Sequence, residues 1–228
     1  MATVTTKAQC RFCGGEYGKS GMTRHLQSCQ ARREAATTGA GGKARSARIL
    51  HLVVSGRDAP MYWMHLEAPA DATFAHLDSF LRKTWLECCG HMSAFTIGGV
   101  SSVSFDDPDE GMDDRIMDVK LGKVLDVGHE FQHEYDFGST TDLTLKVVSE
   151  RQGPVRGKSI AILAQNEPPA IPCDECGQAR QATQICTECA WSGGGWLCNQ
   201  CSKTHPCGEE MQLPVVNSPR VGVCAYAG

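Results

Sequence analysis

The 228 residues carry 22 Lys and Arg against 26 Asp and Glu, a net charge of −4, with 41% hydrophobic and 21% charged side chains. This is the balance of a globular chain with room for one ordinary core plus small satellites. No apolar run approaches the roughly 20 residues that cross a bilayer, and Met1 to Lys7 lack the charged-then-apolar pattern of a signal peptide, so a cytoplasmic chain is expected. Thirteen cysteines in a reducing compartment stay free for metal, which points to zinc rather than disulfides.

The charge is unevenly spread. Residues 1–50 hold nine Lys or Arg against two Glu, a balance of +7, and the remaining 178 residues hold 13 against 24, or −11. A basic head on an acidic body is a pattern that often touches nucleic acid.

In chain order, Cys10-x2-Cys13-x11-His25-x3-Cys29 is the first ligand set. Tyr17 and Met22 stand where a small finger needs an aromatic and an aliphatic core residue, Ser20 is a candidate N-cap, and Met22, His25, Leu26 and Cys29 share one helical face. Residues 1–34 thus resemble a Cys-Cys-His-Cys member of the ββα zinc fingers. Base contacts in such fingers come from helix positions −1, 3 and 6, which here are Gly18, Gly21 and Arg24. Two of these have no side chain. A sequence-independent phosphate grip is then expected from Arg24, Arg32, Arg33, Lys43, Arg45 and Arg48, a set that would equally suit a solvated helix face and a linker.

The helix is expected to fade after Arg33, and residues 35–47 have the Gly, Thr and Ser content of a flexible basic linker. From Arg48 the pattern alternates. Ile49 to Val54 reads as a strand, Ser55 to Pro60 as a turn and Met61 to Leu66 as a second strand, giving a hairpin. Ala70 to Thr73 then opens a helix with Thr73 as its cap and Phe74, Leu77, Phe80, Leu81 and Trp85 as its buried stripe. Strands are expected at Ala94 to Ile97, Val100 to Phe105, Phe131 to Phe137, Asp142 to Val148 and Ser159 to Leu163, with a short element at Leu121 to Val127. The fold class is therefore α+β: a central β-grasp-like mixed domain over residues 48–165, flanked by two small zinc-stabilised modules.

Residues Arg48 to Glu150 also carry a family likeness. Ala59-Pro60-Met61-Tyr62-Trp63-Met64, the run Pro69 to Leu77, Trp85 with Gly90-His91-Met92-Ser93-Ala94-Phe95, and Tyr135-Asp136-Phe137-Gly138 resemble the Ri-plasmid ORF-three-like family, α+β proteins carried on plasmids and mobile elements. That family follows its Tyr-Asp-Phe-Gly with a polar residue, a Trp and a His, where this chain has Ser139-Thr140-Thr141-Asp142-Leu143. The resemblance implies the fold and brings no settled activity; a site served by the missing Trp and His would be absent here.

Three other features have a chemical and a bland reading. His129-Glu130-Phe131-Gln132-His133 matches the His-Glu-x-x-His of zinc hydrolases, with Glu130 as general base. Yet Phe131, His133, Tyr135 and Phe137 alternate as a strand, on which histidines four apart stand roughly 13 Å from each other. Cys88, Cys89 and His91 could serve as ligands, but no spaced partner set completes them and core packing is expected, while Cys224 is left unassigned with packing as one option. The acidic stretch Asp106 to Asp114 lacks calcium-loop spacing and reads as a solvated loop.

After a linker at residues 166–172, residues 173–228 hold the densest chemistry. Cys173-x2-Cys176, Cys186-x2-Cys189, Cys198-x2-Cys201 and His205-x-Cys207 are eight soft ligands, and each Cys-x2-Cys turn can aim two thiolates at one tetrahedral ion. Alternating the pairs assigns Cys173, Cys176, Cys198 and Cys201 to one zinc and Cys186, Cys189, His205 and Cys207 to a second. The order of pairs and the final His-x-ligand tail resemble a B-box zinc module, with Cys where that family often has His. Trp191 and Trp196 flank a Gly193-Gly194-Gly195 turn, and Met211 to Gly228 reads as two strands around Asn217 to Arg220.

The sequence thus predicts three zinc ions, all structural. The expected protein is a non-catalytic adaptor whose basic head contacts DNA or RNA and whose acidic domain and cross-brace contact protein. A pure protein scaffold and a hydrolase centred on His129 and His133 are its rivals.

Overall fold

The computed structural model describes residues 5–38, 45–104, 117–155, 157–177 and 180–228. Lys43 and the acidic stretch Asp106 to Asp114 lie outside the described residues. Two alternating strands set the frame: β3 (Arg45–Gly56) and β4 (Trp63–Pro69) pair antiparallel from Ile49 opposite Pro69 to Ser55 opposite Trp63. The finger hairpin, β1 (Lys7–Gln9) and β2 (Glu16–Gly18), precedes them. With β5 (Ser93–Ile97), β6 (Val100–Ser104), β7 (Glu130–Tyr135), β8 (Thr141–Val155) and β9 (Ala161–Gln165), the two frame strands form a seven-stranded sheet of order β6-β5-β7-β8-β3-β4-β9. Every ladder in it is antiparallel.

Side-chain alternation makes this sheet two-sided. Leu50, Leu52 and Val54 of β3 and Met64, Leu66 and Ala68 of β4 point to one face, where they join Phe95, Phe131 and Leu145 in the main core. That face is covered by α3 (Phe74–Leu81), which runs into a π-helical turn at Arg82–Leu86, and by the single turn of α4 (Leu121–Val124). Thr73 caps α3, its hydroxyl accepting from the His76 N–H at 3.4 Å, and Phe74, Leu77, Leu81 and Trp85 are all fully buried. The expected element at Leu121 to Val127 is this helical turn.

The opposite face is covered by the N-terminal finger, with α1 (Lys19–Ser28) and α2 (Gln30–Thr38). Ala8, Met22 and Leu26 pack on Trp63, Leu163 and Ala164 in a second apolar cluster. This explains why β4 is buried on both sides, including His65 and much of Glu67. The backbone joins in: the Arg11 N–H donates to the Leu163 carbonyl at 3.1 Å and the Glu167 N–H to the Lys7 carbonyl at 2.7 Å, along the outer edge of β9.

The buried charges on this face are paired. Glu67 accepts from Arg151 through both oxygens at 2.7 Å and from Arg32 at 2.6 Å. His51 Nε2 lies 3.0 Å from His65 Nδ1, and His65 Nε2 lies 3.3 Å from the Lys19 carbonyl oxygen. Burial drives both imidazoles toward the neutral form, His51 to about 2, with His65 as the next cause, and His65 to about 4.

Four sequence expectations are corrected here. Helix does not fade at Arg33: the chain breaks at Cys29, whose ψ of 114° is extended, and α2 then continues to Thr38. The N-cap of α1 is Gly18, and Ser20 lies in the first turn. Val127 lies outside any helix or strand, and the chain leaves α4 at Leu125 in an extended conformation. The tail does not form two strands. After β12 (Gln212–Pro214), residues 217–225 form a succession of bends and turns that leaves no ladder to pair.

That tail is pinned to the central domain by side chains. Asn217 exchanges hydrogen bonds with Asn166, and the Ser218 hydroxyl donates to the Trp85 carbonyl at 2.6 Å. Arg220 is fully buried, donating to Asp136 at 2.6 Å and lying 4.8 Å from the Tyr135 ring centroid.

Candidate metal centres

Among the described residues, four groups of four Cys or His side chains each bring one ligand atom per residue to within 4.8 Å of the others. Three are the sets expected from spacing.

In the finger, a knuckle holds Cys10 and Cys13, with the Gly14 N–H donating to the Cys10 carbonyl and Gly14 at φ +71°, a value glycine adopts without strain. Helix α1 supplies His25 and its end supplies Cys29. The sulfurs of Cys10 and Cys29 are 4.0 Å apart, and Cys13 Sγ is 3.2 Å from His25 Nε2. Tyr17 stacks on His25 at 4.3 Å, filling the small core expected of it.

The C-terminal module is a three-stranded sheet in which β10 (Gln184–Cys186) lies between β11 (Trp196–Leu197) and β12. One end gathers Cys173, Cys176, Cys198 and Cys201, the other Cys186, Cys189, His205 and Cys207, so the pairs alternate along the chain. Cys189 Sγ is 3.5 Å from His205 Nε2 and 3.9 Å from Cys207 Sγ. A helical turn, α5 (Thr187–Ala190), joins Cys186 to Cys189. Gly195 has φ +89°, and a Cβ there would lie 2.8 Å from the Cys189 Cβ and 2.9 Å from the Cys186 carbonyl oxygen, so no other residue fits this turn.

The electrostatics would suit a cation. The Cys198 thiol is pulled down to about 6 by the backbone N–H groups of Cys201 and Gln200, while burial and the neighbouring thiols of Cys198 and Cys173 push Cys201 up to about 12. One thiolate forms readily, and the next resists until a positive ion is among them. His205 Nδ1 is bonded to the Glu175 carboxylate, a residue of the other set's first knuckle. A carboxylate behind a ligating imidazole fixes its tautomer and raises its basicity, and here it also couples the two sets.

The fourth group completes Cys88, Cys89 and His91 with a ligand that spacing does not supply. Cys88, Cys89 and His91, which follow the π-helical turn, meet Cys224 of the tail. The core packing expected of Cys88, Cys89 and His91 is corrected: Cys89 is exposed, only Cys88 contributes to the core margin, and the unassigned Cys224 is exposed beside them. The signal available in the sequence was arithmetic, since three cysteines were left over after ten had been assigned. Nothing in the spacing joined residue 224 to residue 88.

The remaining expected site residues are dispersed. Arg24 and Arg33 are exposed on the finger helices. Arg32, expected in a phosphate grip, is instead buried, because its guanidinium neutralises Glu67 beneath α2. Arg45 is paired with Asp71, and Arg48 with Glu150 at 2.6 Å and Asp126 at 2.9 Å. The two histidines of the His-Glu-x-x-His run face different partners: His133, in β7, lies 2.7 Å from Asp78 with its ring fully buried, and His129 lies at the Val124 carbonyl. Trp191 is 80% exposed at the tip of the C-terminal module, whereas Trp196 is half-buried in β11. No helix among the described residues is long and apolar enough to cross a membrane.

No family model and no curated protein matches the chain. A solved structure of a protein of unknown function from Methanosarcina mazei Go1 is similar over 58% of this chain and 76% of its own, with 18% sequence identity and a TM-score of 0.43.

Proposed function

We propose that the protein is a non-catalytic, zinc-stabilised interaction protein of the cytoplasm. The observation that carries this reading is the pairing of closed four-ligand sets with an exposed aromatic: a site whose four positions are all filled by protein leaves none for substrate, and Trp191, 80% exposed, projects from the turn that the Cys186/Cys189 set holds rigid. The cross-brace module, with its B-box-like order of ligands, is the protein-binding end. The basic head is the nucleic-acid end, acting through the phosphates rather than through base edges, since Gly18 and Gly21 occupy two reading positions. Its reach is carried by Arg24, Arg33 and Lys43, because Arg32, Arg45 and Arg48 are engaged by carboxylates of the central domain.

That internal engagement favours a second reading, a pure protein scaffold. Fluorescence anisotropy of labelled DNA and RNA oligonucleotides separates the two. The nucleic-acid reading expects binding at 50 mM salt that weakens about tenfold at 200 mM, as two or so released counterions require, and that is lost in the double variant Arg24→Glu, Arg33→Glu. Absence of binding at low salt removes the nucleic-acid half and leaves the scaffold.

A further inference from the structure

We propose that Cys88, Cys89, His91 and Cys224 form a fourth zinc site, which fastens the C-terminal tail to the central domain. Four sulfur and nitrogen ligands around zinc, at roughly 2.3 Å for sulfur and 2.0 Å for nitrogen, place neighbouring ligand atoms about 3.5–3.8 Å apart. Here Cys88 and Cys89 sulfurs are 3.5 Å apart, as are those of Cys89 and Cys224. His91 Nε2 lies 3.0 Å from Cys89 Sγ and 3.6 Å from Cys224 Sγ. The finger set and the Cys186 set give 3.2 to 4.0 Å for the same kinds of pair. The fourth group therefore has the dimensions of its neighbours.

Cysteine arithmetic supports the assignment. The local sets use ten of the thirteen cysteines, and the remaining three all converge here on one histidine. Packing does not account for the convergence, because Cys89 and Cys224 are exposed. A disulfide does not account for it either, since any one bond among three thiols leaves the third, and the histidine, without a reason to be there.

The surroundings are built around the ligands. Gly90 at φ +79° turns the chain so that Cys89 and His91 aim at one point. Arg220 donates to Cys88 Sγ at 3.4 Å, and the Tyr135 hydroxyl oxygen accepts from the Cys88 and His91 N–H groups at 3.5 and 3.3 Å. The Asp136 carboxylate, held by Arg220, lies 3.5 Å from His91 Nε2 and adds negative charge beside the proposed ion. Among the described residues the non-glycine positions with positive φ are Asp136 at +66° and Cys224 at +54°, both at this site. Strained backbone of this kind persists where its surroundings over-determine it, and a metal–thiolate bond at Cys224 does that.

The site closes a loop between residues 135 apart, and that long closure is its role. The tail that it holds passes beneath the C-terminal module, where a Cβ on Gly222 would lie 2.7 Å from Ile185. Fixing Cys224 thus fixes how the module carrying Trp191 sits on the sheet. The proposal stands whether or not the interaction reading above holds.

The test is a zinc count by native mass spectrometry on full-length protein purified under reducing conditions without added metal. Four zincs in the wild type and three in the double variant Cys89→Ser, Cys224→Ser are expected, with faster amide exchange over residues 217–226 in the variant. Three zincs in the wild type, or four in both proteins, overturn the site. A second readout needs no variant: maleimide alkylation of the native zinc-loaded protein should leave all thirteen thiols protected, and selective labelling of Cys88, Cys89 and Cys224, or a Cys89–Cys224 disulfide, would refute it. Because this set has two exposed thiols and no fully buried one, a chromogenic chelator is expected to draw one zinc quickly and three slowly. Single-rate release of all the zinc also counts against it.

Discussion

The three local ligand sets and the long-range group at Cys88 are alike in size but differ in how they come to exist. Each local set lies within a few dozen residues, and its Cys-x2-Cys knuckles all but impose convergence once an ion is present. The group at Cys88 is assembled from two segments far apart in the chain, and the tail meets the central domain through Ser218 on Trp85 and Arg220 on Asp136. Local sets make a fold, whereas the long-range set depends on one.

The largest effect expected from that contrast follows metal removal. With excess chelator, the finger and the C-terminal module lose amide protection, since a structural zinc is worth on the order of 10 kcal/mol to a module that has little other core. Strands β3, β7 and β8 remain protected, because their core of Phe74, Trp85, Phe95 and Leu145 owes nothing to metal. Hydrogen exchange that shows the sheet opening together with the modules would erase the distinction.

A smaller loss is expected from Asp136→Asn. Burial opposes ionisation of this carboxylate, but the Arg220 guanidinium and the N–H groups of Ser139 and Gly138 hold its pKa below the usual range. Removing its charge leaves Arg220 buried without a counterion, at a cost of about 3 kcal/mol in a urea titration. The tail should loosen while the finger and C-terminal sets keep their zinc. Asparagine tolerates the positive φ at this position, so the effect reports the ion pair.

The order of these effects bears on what the sequence could disclose. Spacing sufficed to group twelve Cys and His side chains into three sets, and period-2 and helical patterns sufficed for the hairpin and for α3, because those are properties of neighbours along the chain. Arg32 looked like a free cation because its partner, Glu67, lies 35 residues away on a strand that the finger covers. Trp63 and His65 alternate on one face of a strand read only as half of a hairpin, and the docked finger makes that face interior. Cys224 was unreadable for the same reason.

The finger–sheet contact makes its own prediction in acid. His51 and His65 are held neutral, so the folded state binds fewer protons than the unfolded one below the ordinary value of 6.5. Stability is therefore full above that pH and declines as pH falls, by about 1 kcal/mol per histidine per unit, until folded values near 4 for His65 and 2 for His51 are reached. In His65→Gln, the stability difference between pH 6.5 and 5.5 should shrink by about 1 kcal/mol relative to wild type; an unchanged slope would mean that the pair is hydrated. The smallest effect is expected from Trp191→Ala, whose side chain touches little and whose loss should move the unfolding midpoint by less than about 0.5 kcal/mol while removing the proposed protein contact.

The edge of β9 carries a consequence for the life of the chain in a crowded cell. An outer strand with open N–H and C=O groups is a template for pairing with other molecules, and here Lys7 and Arg11 of the finger occupy that template at Glu167 and Leu163. Losing the finger, by proteolysis or by zinc starvation, would uncover Trp63 and Leu163 together with this edge, joining an apolar patch to a free ladder. Metal shortage would then show itself as self-association together with the loss of the finger's own contacts.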